Sequence, residues 1–238
     1  VQYILDQANR VLEPQLKSED IIGVFAGLRP LVANKSQSTT SKLSREHTVD
    51  RPAPGFVSLA GGKYTTYRVM AKDAVDLAVL DLRRIVSDSI TEKLPLIGAD
   101  GYYALTQQVA NIADQSGLDE KTITHLLDRY GSLISEVLDI AENQPAYKER
   151  LIETLPYLKA EVLYAATHEG ALSVADVLMR RTRISFEAPD SGLSVAAEVA
   201  KIISPALRWS DSERQKSVAE FADVVSKEEL ALQSLVNS

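Results

Sequence analysis

Two adjacent glycines, Gly61 and Gly62, stand between a run that reads as a strand and a run that reads as a helix. Before them, Phe56-Val57-Ser58-Leu59-Ala60 follows Pro54 and Gly55 and is rich in β-formers. After them, apolar residues recur at Met70, Ala74, Leu77, Ala78, Val79 and Leu82, the spacing of one helix face. The unit is therefore strand, glycine pair, Lys63, Tyr64, Thr65, Thr66, helix. Glycine lets two backbones approach closely. Threonine is a good helix cap, and the amides of a first turn have no acceptor inside the helix. The junction has two readings. It is a cradle for an anion or a cofactor carbonyl, favoured by the helix dipole and by the charge on Lys63. Or it is a turn that lets a strand pack on a helix. Spacing alone leaves both open.

A chain of 238 residues is long enough for one large domain or two small ones with cores of their own. Its 45% hydrophobic and 25% charged residues are the proportions of a soluble globular protein. A net charge of −7 argues against nucleic acid as a partner. The absence of cysteine removes disulfides, thiolate metal sites and cysteine nucleophiles, and suits a reducing compartment. His47, His125 and His168 are scattered without metal-binding spacing. No window approaches the roughly 20 apolar residues of a membrane span. The first residue, Val1, already lies in an amphipathic run with Ile4, Leu5, Ala8, Val11 and Leu12. The expectation is a piece cut from a larger protein.

Read in order, the pattern predicts a helix over 1–13, ended by Pro14, and a buried strand within 21–32 that closes at Arg29-Pro30. Residues 34–44 are polar, a loop by composition. A short strand at 45–49 and the one before the glycine pair would form an antiparallel hairpin, bringing Arg45 towards Lys63. The following helix runs to about Arg84. Composition then changes, and the domain boundary is placed within 86–99. Beyond it every signal is helical: 103–116, 119–130 with Asp119 as cap and Gly131 as stop, 132–142, 146–153, 158–169, 173–180, 193–203 and 210–225. Ser173 and Asp176 are spaced as a capping box. The expected architecture is mainly α. Residues 1–86 form a short α+β portion, and residues 99–238 an all-α helical domain.

Several segments carry a resemblance. Gly23-Val24-Phe25-Ala26-Gly27-Leu28-Arg29-Pro30-Leu31, Ser44-Arg45-Glu46-His47 and Leu59-Ala60-Gly61-Gly62-Lys63-Tyr64-Thr65-Thr66-Tyr67-Arg68 are similar to the carboxyl-terminal part of the FAD-dependent glycerol-3-phosphate dehydrogenases. The late run from Glu161 to Glu169 and on from Asp176 to Arg183 resembles the helical terminal domain of the same family. The likeness implies a parent enzyme that oxidises sn-glycerol 3-phosphate to dihydroxyacetone phosphate and passes electrons through FAD to a quinone-type acceptor. It implies residues 1–86 as the last piece of an FAD and substrate domain. It implies FAD contacts at Gly61, Gly62, Lys63, Tyr64, Thr65 and Thr66, and substrate contacts at Arg29, Arg45 and Lys63. Arginines suit a phosphate dianion through planar bidentate pairing.

The Gly-x-Gly-x-x-Gly turn that binds FAD in the family has no counterpart here, nor do its upstream arginine and histidine. No catalytic residue is therefore assigned within the chain, and the piece alone is expected to be inactive and without FAD. The resemblance further implies a cytoplasmic protein, peripheral at the cytoplasmic membrane, with homo-oligomers in range. Two alternatives stand beside it: a non-catalytic helical interaction or oligomerisation domain, and a flavoprotein oxidase of another small substrate. His168-Glu169 has the outline of a catalytic dyad, but neighbours on a helix point apart. Arg180-Arg181-Thr182-Arg183 has the outline of a phosphate patch, but is expected to pair with Glu169, Asp176 or Glu187.

Overall fold

A computed structural model describes residues 1–21, 27, 32, 46–82 and 84–236. The chain is mainly α with a short α+β portion, and it divides into two units. One comprises Val1–Phe25 with Ile97–Ser238, the other Ala26–Leu96. The sequence pattern grouped the first residues with the glycine junction; here they belong with the helical unit. The strand expected within 21–32, with Arg29, and the loop at 34–44 lie outside the described residues, apart from residues 21, 27 and 32.

Helix α1 (Gln2–Ala8) is shorter than its amphipathic pattern. The Asn9 side chain ends it by bonding both the N–H and the C=O of Leu16 at 2.8 Å, which turns the chain back.

The second unit holds an antiparallel hairpin of β1 (His47–Ala53) and β2 (Phe56–Gly61), followed by α2 (Tyr67–Val79). The register pairs His47 with Gly61, Thr48 with Ala60 and Val49 with Leu59, and is irregular between Asp50 and Ala53. Helix α2 packs on both strands, and one ion pair fixes its far end. Arg51 on β1 pairs with Asp81, whose other oxygen accepts the N–H of Gly55 in the hairpin turn at 3.2 Å.

In the helical unit α3 (Tyr102–Thr106) and α4 (Val109–Ser116) replace the single helix expected over 103–116. Neither glycine nor proline marks the break between them. Helix α5 (Glu120–Tyr130) begins and ends where its local signals say. Asp119 accepts from the Thr122 amide and hydroxyl, both at 2.9 Å, and Gly131 stops the helix. Helix α6 (Ile134–Asn143) comes next.

The helix expected over 146–153 is instead a single 3-10 turn, Pro145–Lys148. Beyond it the backbone pairs with the segment after Pro156. Leu151 N–H donates to Tyr157 O and Lys159 N–H to Glu149 O, both at 2.9 Å. That cross-chain pairing takes the amides a continuing helix would have used.

Helix α7 (Lys159–Thr167) is succeeded by a π-helical turn at Asp176–Arg181. The wide turn is closed by Thr182, whose amide and hydroxyl both donate to Val177 O at 2.8 Å. Of the expected Ser173–Asp176 capping box one half forms: the Asp176 amide donates to Ser173 Oγ at 3.0 Å, while the Asp176 carboxylate accepts from the Ser173 hydroxyl at 2.9 Å and the Leu172 amide at 3.0 Å. Short α8 (Ile184–Glu187), α9 (Ala196–Leu207) and α10 (Asp211–Val236) complete the unit. Helix α10 continues eleven residues past the predicted end at Val225.

Among the described residues two apolar clusters make the core of the helical unit. Ile123, Leu126, Val137, Leu158, Ala160 and Tyr164 belong to one, built from α4 to α7. Val162, Ala165, Leu178, Ile203, Phe221 and Val225 belong to the other, built from α7 to α10. Helix α7 contributes to both, so its apolar residues occupy all its sides, as expected of a central helix.

Candidate functional site

The glycine pair ends β2 in a left-handed conformation, with φ +76° at Gly61 and +81° at Gly62. Both residues are also tightly surrounded. A Cβ on Gly61 would stand 2.7 Å from Glu46 O and 2.8 Å from Val32 Cγ2, and one on Gly62 would stand 2.6 Å from Met70 Sδ. These are protein atoms. A side chain is thus excluded by protein packing, at Gly61 by Glu46 and Val32 and at Gly62 by Met70 of α2, as the turn reading expects.

Beyond the pair lies an open, donor-rich turn. Lys63 is extended, and Tyr64–Thr66 form a 3-10 turn that runs into α2. The Thr66 hydroxyl donates to Lys63 O at 3.0 Å, as does the Thr66 amide, so Thr66 closes the turn. The amides of Tyr64 and Thr65 open this turn, ahead of any intrahelical acceptor. Lys63 is exposed, and among the described residues its ammonium makes no ion pair. Tyr64 is 90% exposed and stacks on Tyr67 at 5.8 Å. Arg68 is occupied elsewhere, donating to Thr91 O and lying over the Tyr67 ring at 5.6 Å.

An ammonium, two amides that have no acceptor among the described residues and an exposed aromatic ring fit a planar heteroaromatic group with carbonyl acceptors, such as a flavin ring. Of the sequence-predicted site residues, Gly61, Gly62, Lys63, Tyr64, Thr65 and Thr66 lie together here. Arg29 and Arg45 are outside the described residues, and so is their relation to Lys63. His47, at the start of β1, has a partner that sequence spacing could not show. Its Nε2 lies 2.7 Å from Asp73 Oδ2 on α2, 26 residues away.

The helical unit holds a buried polar network around Glu161, which is 1% exposed. Its carboxylate accepts from Leu158 N–H at 2.7 Å, from His125 Nε2 at 3.0 and 3.2 Å, and from Tyr130 OH at 3.0 Å. Arg129 Nε is 3.6 Å away. A glutamate at the third position of a helix commonly reaches back to the capping amide; one set in the apolar run Ala160–Ala166 is the signal that could have found it. Burial and the nearby Glu161 charge push the Tyr130 hydroxyl well above the usual phenol range, so it remains a donor.

The two suspected motifs of this unit resolve into ordinary partners. His168 bonds Thr167 Oγ1 at 2.7 Å and stacks on Tyr164, with ring centres 4.4 Å apart. Arg180 pairs with Asp176 at 2.9 Å, Arg183 with Glu187 at 3.7 Å, and Arg181 donates to Glu169 O at 2.8 Å. Among the described residues no group of three His, Cys, Asp or Glu could hold a metal ion, and no helix is long and apolar enough to cross a membrane.

Residues 89–214 match the family model of the C-terminal domain of alpha-glycerophosphate oxidase. The chain is 50% identical over 231 residues to glycerol-3-phosphate dehydrogenase 2 of Mycobacterium tuberculosis, covering 97% of this chain and 39% of that protein. It is 30% identical to the mitochondrial glycerol-3-phosphate dehydrogenase of Mus musculus, covering 92% of this chain and 30% of the other. It thus spans well under half the length of these relatives. The structure of glycerol-3-phosphate dehydrogenase from Bacillus halodurans complexed with FAD superposes with a TM-score of 0.73 at 22% identity, over 94% of this chain and 44% of that one. That likeness is one of fold. With more than half its length inside the family model, the chain belongs to the family of the C-terminal domain of alpha-glycerophosphate oxidase.

Proposed function

We propose that this chain is the carboxyl-terminal part of an FAD-dependent glycerol-3-phosphate dehydrogenase, and that its glycine junction completes the flavin and substrate site. The observation that carries the reading is the match along nearly the whole chain to the M. tuberculosis dehydrogenase. Bound FAD supplies the acceptor for the two electrons and the hydrogen leaving C2 of glycerol 3-phosphate. The chain's own residues bind and orient. Gly61 lets the end of β2 close on Glu46 and Val32, and Gly62 lets it close on Met70 of α2, which sets the direction of the turn. The Tyr64 and Thr65 amides and the Lys63 ammonium hold negative charge at the opening of the helix. Arg29 and Arg45, with Lys63, take the substrate phosphate, so that part of the rate comes from positioning. The base that removes the C2 hydroxyl proton lies upstream of this chain. Electrons pass on to a quinone-type acceptor, with the protein cytoplasmic and peripheral at the membrane.

The test uses the full-length parent, with glycerol 3-phosphate as substrate and a dye as acceptor. Removing a charge that pairs with phosphate should lower kcat/KM for Lys63→Ala by at least about 2 kcal/mol, roughly thirtyfold, with flavin content retained. Activity without flavin, or a Lys63→Ala variant equal to wild type, would refute the site. Equal turnover of an unphosphorylated analogue would favour a flavoprotein oxidase of another small substrate.

A further inference from the structure

His47 sits at the end of the ladder directly opposite Gly61. Its imidazole crosses to the second turn of α2, where Nε2 lies 2.7 Å from Asp73 Oδ2. A carboxylate oxygen only accepts, so Nε2 carries the hydrogen. The histidine side chain is 19% exposed and the aspartate 42%. The same residue lies behind both glycines: a Cβ on Gly62 would stand 3.1 Å from His47 Cβ, and one on Gly61 would stand 3.6 Å from His47 Cα. One side chain therefore backs the glycine pair and grips the helix that the pair leads into. Gly61 and Gly62 have no side chains with which to hold their own direction. Whatever ties the strand to the helix on either side of them decides where Lys63 and the first amides point.

We propose that His47 and Asp73 are a positioning pair for the Lys63–Thr66 turn, holding it in register with the flavin; this rests on the function proposed for the glycine junction. The same hairpin and helix contain their own control. Arg51 and Asp81 tie β1 to the other end of α2, at the hairpin turn and away from the glycines. A pair that only holds the unit together would behave as Arg51 and Asp81 do. A pair that aims the turn would also change the flavin.

The experiment uses the full-length flavoprotein and compares His47→Leu, Asp73→Ala, His47→Gln and Asp81→Ala. It reads the visible spectrum and midpoint potential of the bound flavin, and kcat and KM for glycerol 3-phosphate. His47→Leu and Asp73→Ala should each move the reduction equilibrium about tenfold towards the oxidised form, about 30 mV for a two-electron couple. Both should lower kcat more than they raise KM. His47→Gln places an amide donor towards Asp73 and should restore most of both. Asp81→Ala should lower thermal stability and leave the potential in place. Asp73 is partly exposed on a helix, and alanine suits that position, so Asp73→Ala keeps the test informative if His47→Leu folds poorly. Unmoved potentials in His47→Leu and Asp73→Ala, or an equal shift in Asp81→Ala, would overturn the pair while leaving the function standing. A wild-type protein whose flavin is not reduced by glycerol 3-phosphate would overturn the function, and the pair with it.

Discussion

The buried carboxylate of Glu161 allows a magnitude to be worked from its contacts. Glu161→Gln keeps the shape of the side chain but replaces one acceptor oxygen by an NH2. If the remaining oxygen stays with His125 and Tyr130, the new amide faces the Leu158 N–H, donor against donor. One orphaned buried donor costs about 1–3 kcal/mol, and replacing a charged acceptor by a neutral one weakens the other bonds by about 1 kcal/mol. Arg129 also loses the carboxylate 3.6 Å from its Nε. The expected loss is about 3 kcal/mol. For a unit of this size that is a fall in Tm of roughly 6–12 °C.

Trp209 is the chain's only tryptophan and packs against the core formed by α7 to α10, so its fluorescence in a urea titration follows the helical unit. Glu169→Gln is the comparison, eight residues on. One Glu169 oxygen is buried with no hydrogen-bond partner among the described residues, and burial pushes its carboxyl above the usual range despite the Arg129 and Arg181 charges. The folded state therefore favours the protonated form. Its penalty is absent below the unfolded pKa and develops as pH rises through the folded one. Glu169→Gln should equal or exceed wild type in stability at neutral pH, and the difference should vanish in acid. A Glu161→Gln cost below about 1 kcal/mol, or a Glu169→Gln cost as large as Glu161→Gln, would refute the assignment of the network.

Asp119→Ala should cost about 1 kcal/mol at neutral pH by removing the cap of α5. The Thr122 amide, and then its hydroxyl, hold the Asp119 carboxyl below the usual range, so this stability is complete above the unfolded pKa of about 3.9 and lost as pH falls through the folded value. Wild-type and Asp119→Ala curves of Tm against pH should converge in acid, and parallel curves would refute the cap. Gly61→Ala must take a left-handed φ and displace the Glu46 carbonyl, so it should cost well over about 1 kcal/mol and release flavin from the full-length protein. Retention of flavin with unchanged stability would show that the close approach of Gly61 to Glu46 does not shape the junction.

The elements legible in the sequence were those with local causes. Asp119 and Gly131 bound α5 because a cap and a stop each act within a single helical turn. The β2–glycine–α2 order was legible because a run rich in β-formers gives way to apolar residues at helical spacing across Gly61-Gly62. The 3-10 turn at 145–148 was not, because pairing with the chain beyond Pro156 overrides a local helical preference. The ties that organise the two units were hidden for the same reason. His47 meets Asp73 across 26 residues and His125 meets Glu161 across 36. Composition near any one of them says nothing about the other.

Helix α7 also governs how the helical unit comes apart. With Ala160 and Tyr164 in one core and Val162 and Ala165 in the other, it is shared by both, with a part-exposed stripe at Lys159, Leu163 and Ala166 towards solvent. Neither core can open without stripping a face from the helix on which the other is built. The helical unit should therefore melt as a single cooperative block, its α3–α6 half failing at the same denaturant concentration as its α8–α10 half.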